Sequence, residues 1–99
     1  MSVWFVSRHQ GAIDWIKEQQ IQIDCWTTHI DCKDVEPGDT VIGVMSLAMA
    51  ANFCEKNVKC LVLTYDVPQA LRGQELDAKT LADFGCKLVR YQVTRVPME

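Results

Sequence analysis

Near its start the chain changes abruptly from one period to another. Val3-Trp4-Phe5-Val6 is a β-branched and aromatic run with no polar interruption, and it gives way at once to Ser7-Arg8-His9 and then to helical spacing. Such a run reads as a strand buried on both faces, the habit of a central strand in a parallel sheet. Ser7, Arg8 and His9 then fall at its carboxyl end, where open α/β sheets bind their ligands. A hydroxyl, a guanidinium and an imidazole in consecutive positions there suit a phosphate ester. Gly11 lets the chain turn closely into the helix that follows.

From Gln10 to Gln20 the residues Ala12, Ile13 and Ile16 fall on one side and Asp14, Lys17 and Glu18 on the other, which predicts an amphipathic helix. Ile21 to Ile30 carries Ile23, Cys25, Thr27 and His29 in alternation and predicts a second, more polar strand. Asp31 to Asp39 is charged and closes on Pro37-Gly38-Asp39, a turn signature, before a third strand over Thr40 to Val44. Leu47, Ala50, Ala51 and Cys54 then recur at helical spacing, with Ser46 as N-cap of a helix reaching about Lys56. The order strand, Gly43, hydroxyl-capped helix makes Gly43 and Ser46 ligand-edge residues like those after the first strand. Val58 to Tyr65 is a fourth buried strand whose polar end, Asp66, returns to that edge. Asp77 caps a short helix carrying Leu81 and Phe84, and Lys87 to Arg95 alternates as a last strand. Strands alternating with helices throughout predict an α/β sandwich with a mostly parallel sheet.

Ninety-nine residues with 48% hydrophobic and 23% charged content suit a single domain, 1–99. A domain this small has few places for a deep pocket, so a homodimer completing its site at a two-fold interface is expected. The net charge of −3 argues against long nucleic acid as a partner, which needs many cationic phosphate contacts. It leaves room for a small phosphorylated ligand held by a local cluster. Five cysteines, Cys25, Cys32, Cys54, Cys60 and Cys86, with no Cys-x-x-Cys spacing, indicate neither a disulfide framework nor a zinc site. They are expected to be reduced and mostly buried, in a cytoplasmic protein with no signal peptide and no membrane partner.

His9 can act as general acid or base, or can be a surface histidine at a helix start. Arg8 suits a bidentate phosphate contact, although a salt bridge to a neighbouring loop would use it equally well. The segment Asp66 to Leu76 is long for so short a chain, and Arg72-Gly73 in it offers a cation beside a residue that permits close backbone approach. Glu75 could instead pair with Arg72. Asp31, Asp34 and Asp39 share one solvated loop without a histidine at ligand-like spacing, so no metal site is assigned. His29 is a secondary candidate.

Phe5-Val6-Ser7-Arg8-His9-x-Gly11-Ala12-Ile13-x-Trp15, then Pro37-Gly38-Asp39-Thr40-Val41-Ile42-Gly43, then Asp66-x-Pro68-x-x-x-Arg72-Gly73-x-Glu75-Leu76, resemble in order and spacing the CRISPR-associated Csx-sixteen family, accessory proteins of type III systems. The resemblance runs from about Val3 to Val93. It implies a small Rossmann-like, CARF-like three-layer sandwich and a ring nuclease that degrades cyclic tetra-adenylate, ending type III signalling. It also carries over to Ser7, Arg8, His9 and Arg72, which stand where the motifs stand.

The chemistry can be argued independently of any metal. The ribose 2′-hydroxyl attacks the neighbouring phosphorus in line and leaves a 2′,3′-cyclic phosphate. The protein must hold that geometry, stabilise phosphoryl charge and move a proton. His9, Arg8 and Arg72 are the catalytic candidates, and Ser7, Gly11, Gly43, Ser46, Asp66 and Gly73 the ligand-binding ones, with no cofactor. A binding module that sequesters or senses the ring would need the same arginines and no proton-transfer group. A scaffold protein would not bind the ring at all.

Overall fold

The computed structural model describes residues 1–98. Along them run β1 (Val3–Val6), α1 (Gln10–Glu18), β2 (Cys25–Thr27), β3 (Thr40–Gly43), α2 (Leu47–Glu55), β4 (Lys59–Thr64), α3 (Ala78–Asp83) and β5 (Lys87–Tyr91). Single 3-10 turns lie at Cys32–Asp34 and Gln69–Leu71. The five strands form one sheet in the order β2-β1-β3-β4-β5, parallel except for the antiparallel pair β4 and β5. This is the Rossmann-like α/β sandwich with a mostly parallel sheet.

Alternation along the strands feeds two cores, one on each face. Phe5, Ile42 and Leu63 pack with Ala12, Trp15 and Ile16 of α1 and Ala78 and Leu81 of α3. Val41 and Cys60 pack with Ala50 and Phe53 of α2 and with Ile30, Val35 and Val58, and Trp4 and Val6 lie against this second cluster. Each fully buried large side chain, such as Phe5 or Phe53, contributes roughly 1.5–3 kcal/mol of transfer free energy. The caps expected from sequence are present: Ser46 Oγ accepts from Met49 N–H at 3.1 Å, and the Asp77 carboxylate accepts from Thr80 N–H at 2.8 Å. Each such cap contributes about 1 kcal/mol.

The last strand ends at Tyr91 rather than Arg95, and four further expectations need correction. The complete burial expected of β1 holds only for Phe5, because β1 lies next to a three-residue edge strand and Val3, Trp4 and Val6 stay half-buried. The strand expected over Ile21 to Ile30 contracts to Cys25–Thr27, where Trp26 stacks edge-on against Phe5 and lies under the Lys17 ammonium. The cysteines are all free, yet only Cys60 is fully buried and the other four are half-buried at the sheet and helix margins.

The fourth concerns Asp39, which is no member of a solvated loop. It is 4% exposed, and its carboxylate accepts from Ser2 N–H at 2.8 Å, Glu36 N–H at 3.0 Å and Trp4 Nε1–H at 3.1 Å. The Glu36 and Ser2 amides hold its carboxyl below the usual carboxylate range, against the opposing effect of burial. Asp39 ties the turn before β3 to the start of β1, at the edge of the sheet remote from the polar strand ends.

Candidate functional site at the carboxyl edge of the sheet

In the strand order 2-1-3-4 the chain leaves β1 to one side and β3 to the other, so the crevice between their carboxyl ends is a topological switch point. α1 starts on one face of the sheet and α2 on the other, which opens a cleft between them. That cleft has a volume of about 750 Å³. It is lined by Ser7, Arg8 and His9 after β1, Thr28 and His29 after β2, and Gly43 to Ser46 after β3, with Tyr65 and Gly73 to Leu76 along the β4 side.

The tip after β1 is held from several directions. Ser7 N–H donates to the Thr27 carbonyl at 3.0 Å, which anchors the tip to the neighbouring strand. Ser7 Oγ accepts from His9 N–H at 3.1 Å, and the His9 carbonyl accepts from Ile13 N–H at 3.2 Å to begin α1. His9 is the N-cap residue of α1 by backbone geometry but spends no side-chain bond on capping. Its imidazole Nδ1 instead lies 3.2 Å from both carboxylate oxygens of Glu75. Beside it the exposed Arg8 guanidinium enters no ion pair among the described residues, so it is available to an anion in the cleft.

Two glycines let the walls come together. A Cβ on Gly43 would lie 2.6 Å from the Val6 carbonyl oxygen, so only glycine allows the ends of β1 and β3 to approach as they do. A Cβ on Gly11 would lie 1.7 Å from the Leu76 carbonyl oxygen. Gly11 does not line the cleft. It is a notch in α1 that seats the end of the Asp66–Leu76 segment and thereby sets Glu75 beside His9.

Of the residues singled out from sequence, Ser7, Arg8, His9, Gly43, Ser46 and Gly73 therefore meet around one cleft, and His29 joins them. Arg72 and Asp66 do not. They line a second, smaller cavity of about 300 Å³ with Val67 and Leu71, which shares Tyr65, Gly73, Gln74 and Leu76 with the first. The expected Arg72–Glu75 pair is not formed: Glu75 pairs with His9, and Arg72 enters no ion pair among the described residues. Sequence reading missed Thr28, Tyr65 and Gln74 as cleft residues. Position immediately after a strand was a signal for the first two, and Gln74 carried none.

Among the described residues no group of three or more His, Cys, Asp or Glu side chains is placed to hold a metal ion. Burial pushes the Cys60 thiol up to about 12 and the Cys86 thiol up to about 11, so neither offers a thiolate near neutral pH. No described helix is long and apolar enough to cross a membrane.

No curated protein and no solved structure matches the chain significantly. One family model does, over residues 4–94, and its description reads "Putative CRISPR-associated protein (Cas_VVA1548)". The matched span takes in every strand except the first residue of β1, both walls of the cleft and the whole Asp66–Leu76 segment. On that coverage, the chain belongs to the CRISPR-associated Cas_VVA1548 family.

Proposed function

We propose that this CRISPR-associated protein is a ring nuclease of the Csx-sixteen type, which binds cyclic tetra-adenylate in the switch-point cleft and opens it without a metal ion. The observation that carries the reading is the grouping of a guanidinium with no ion-pair partner among the described residues, a hydroxyl and a carboxylate-paired imidazole at that cleft, where the family's CRISPR association makes a cyclic oligoadenylate the fitting phosphodiester.

In this reaction the ribose 2′-oxygen forms a bond to phosphorus and the bond from phosphorus to the 5′-oxygen breaks. A proton leaves the 2′-hydroxyl and one is delivered to the departing 5′-oxygen. The product is a linear strand with a 2′,3′-cyclic phosphate and a 5′-hydroxyl, and no water is consumed. Arg8 stabilises charge on the phosphoryl oxygens, the amides at the start of α1 and the Ser46-capped start of α2 position the ribose-phosphate, and His9 moves a proton. Arg72, in the adjoining cavity, holds a neighbouring phosphate.

A cleft of about 750 Å³ is of the size that takes a drug-sized ligand, and a ring of four nucleotides is larger than that. Half a ring per protomer fits, and a two-fold ring then calls for a homodimer with the cleft beside the interface. Val44 at the cleft and Leu47 at the start of α2, 67% and 77% exposed, supply apolar surface for such a contact. Light scattering with and without ligand should return a dimer. A monomer in both would remove the dimer from the proposal.

Incubation with labelled cyclic tetra-adenylate in EDTA tests the activity and separates it from simple sequestration. Linear product supports cleavage. Tight binding with an intact ring makes the protein a binding module.

A further inference from the structure

We infer that Glu75 is a positioning residue for His9, fixing its tautomer so that Nε2 is the proton acceptor in ring opening. The inference rests on the cleavage reading above and adds a residue and a direction of proton transfer to it.

Both Glu75 carboxylate oxygens lie 3.2 Å from His9 Nδ1, across 66 positions of sequence. A carboxylate is acceptor only, so a neutral imidazole in this contact must carry its proton on Nδ1. Nε2 is then left with its lone pair. A histidine whose tautomer is set by a second residue presents a defined nitrogen to the substrate, as the carboxylate does for the imidazole in hydrolytic triads.

Energetics argue that the contact is about orientation. The His9 and Glu75 side chains are 64% and 62% exposed, and ion pairs at such exposure contribute little to stability. Yet the chain builds the contact from both ends. The His9 backbone is fixed by Ser7 Oγ and by Ile13, and Glu75 precedes the residue whose carbonyl fills the notch at Gly11. With Nε2 unprotonated, His9 takes the proton from the 2′-hydroxyl as that oxygen attacks phosphorus, and the group that protonates the 5′-oxygen lies elsewhere.

The test reads the tautomer directly. In full-length protein with ¹⁵N-labelled histidine, long-range ¹H–¹⁵N spectra at a pH where His9 is neutral should show His9 protonated on Nδ1. Glu75→Ala should abolish that preference. Glu75→Gln, whose amide oxygen still accepts from Nδ1–H, should keep it. In single-turnover opening of cyclic tetra-adenylate, Glu75→Ala should be slower by at least about tenfold, Glu75→Gln should recover most of the rate, and Glu75→Ala should add nothing in a His9→Ala background. Protonation on Nε2 in the parent protein, or a tautomer unmoved by Glu75→Ala, overturns the inference. Equal slowing of the parent and of His9→Ala does so too. If the parent shows the Nδ1–H tautomer but leaves the ring intact, the pairing stands, while the cleavage reading and the role of Nε2 as base in it fail.

Discussion

Replacing Gly11 by alanine sets two physical expectations against each other. Alanine is the better helix former by about 0.8–1 kcal/mol in a helix interior, so propensity alone predicts a small gain, smaller still in the first turn. The structure predicts a loss. The new Cβ would stand 1.7 Å from the Leu76 carbonyl oxygen, 2.8 Å from its carbon and 3.0 Å from Asp77 Cα, all backbone atoms. A carbon–oxygen contact relaxes only near 3.3 Å, so the Leu76 peptide would have to retreat by roughly 1.5 Å. Overpacking of this kind costs about 1–3 kcal/mol, and backbone cannot yield by changing rotamer, which places the clash near the top of that range. After the propensity gain the net destabilisation is about 2 kcal/mol, or roughly 10 °C in Tm for a domain of this size. Thermal and urea denaturation of Gly11→Ala would measure it. A variant as stable as the parent would show that the segment is free to move and cannot hold Glu75 in place.

Asp39→Ala should cost about 3 kcal/mol, since it strips one acceptor from the Ser2 and Glu36 amides and the Trp4 indole. Because the folded-state carboxyl is held below its unfolded range, the share of that contribution that depends on the ionised carboxylate is present above about pH 4 and is lost as pH falls through the depressed value. The gap in denaturation midpoint between parent and variant should therefore be level above pH 4 and narrow below it. Arg8→Ala should weaken binding of cyclic tetra-adenylate by about 1.5–3 kcal/mol in a calorimetric titration with no change in Tm, the contribution of a charged hydrogen bond. Arg72→Ala should weaken it less, because Arg72 lines the smaller cavity. His9→Ala, with protein in excess so that weakened binding is masked, should slow single-turnover cleavage at least about a hundredfold. A rate within a few-fold of the parent would assign cleavage to positioning and charge stabilisation alone.

The elements that could be read from sequence are those whose cause is local. An uninterrupted apolar run made β1 and β4 visible, and a hydroxyl or carboxylate three residues ahead of its target amide made the Ser46 and Asp77 caps visible. The ends of successive strands then pointed to the edge where the cleft lies, because parallel topology gathers carboxyl ends along one edge. What escaped depends on distant partners. Asp39 read as one more acid in a polar turn, and only Ser2 and Trp4, 37 and 35 positions away, turn it into a buried anchor. Glu75 had a cation three residues away in Arg72 and took its partner from 66 positions away instead. β2 looked longer than it is because alternation continues past the few residues that find a neighbour in β1. Gly11 was read as a turn glycine, whereas the place of its missing side chain is filled by the carbonyl of Leu76, distant in sequence.

If the switch-point cleft opens a cyclic phosphodiester by attack of the ring's own 2′-hydroxyl, the ends of the product carry the signature of that attack. Mass analysis of cyclic tetra-adenylate after single-turnover incubation with the protein in EDTA reads those ends. Linear products ending in a 2′,3′-cyclic phosphate and a 5′-hydroxyl are expected, with none formed by the His9→Ala, Arg8→Ala double variant on the same timescale. An intact ring, or products ending in a 5′-phosphate, would contradict that mechanism.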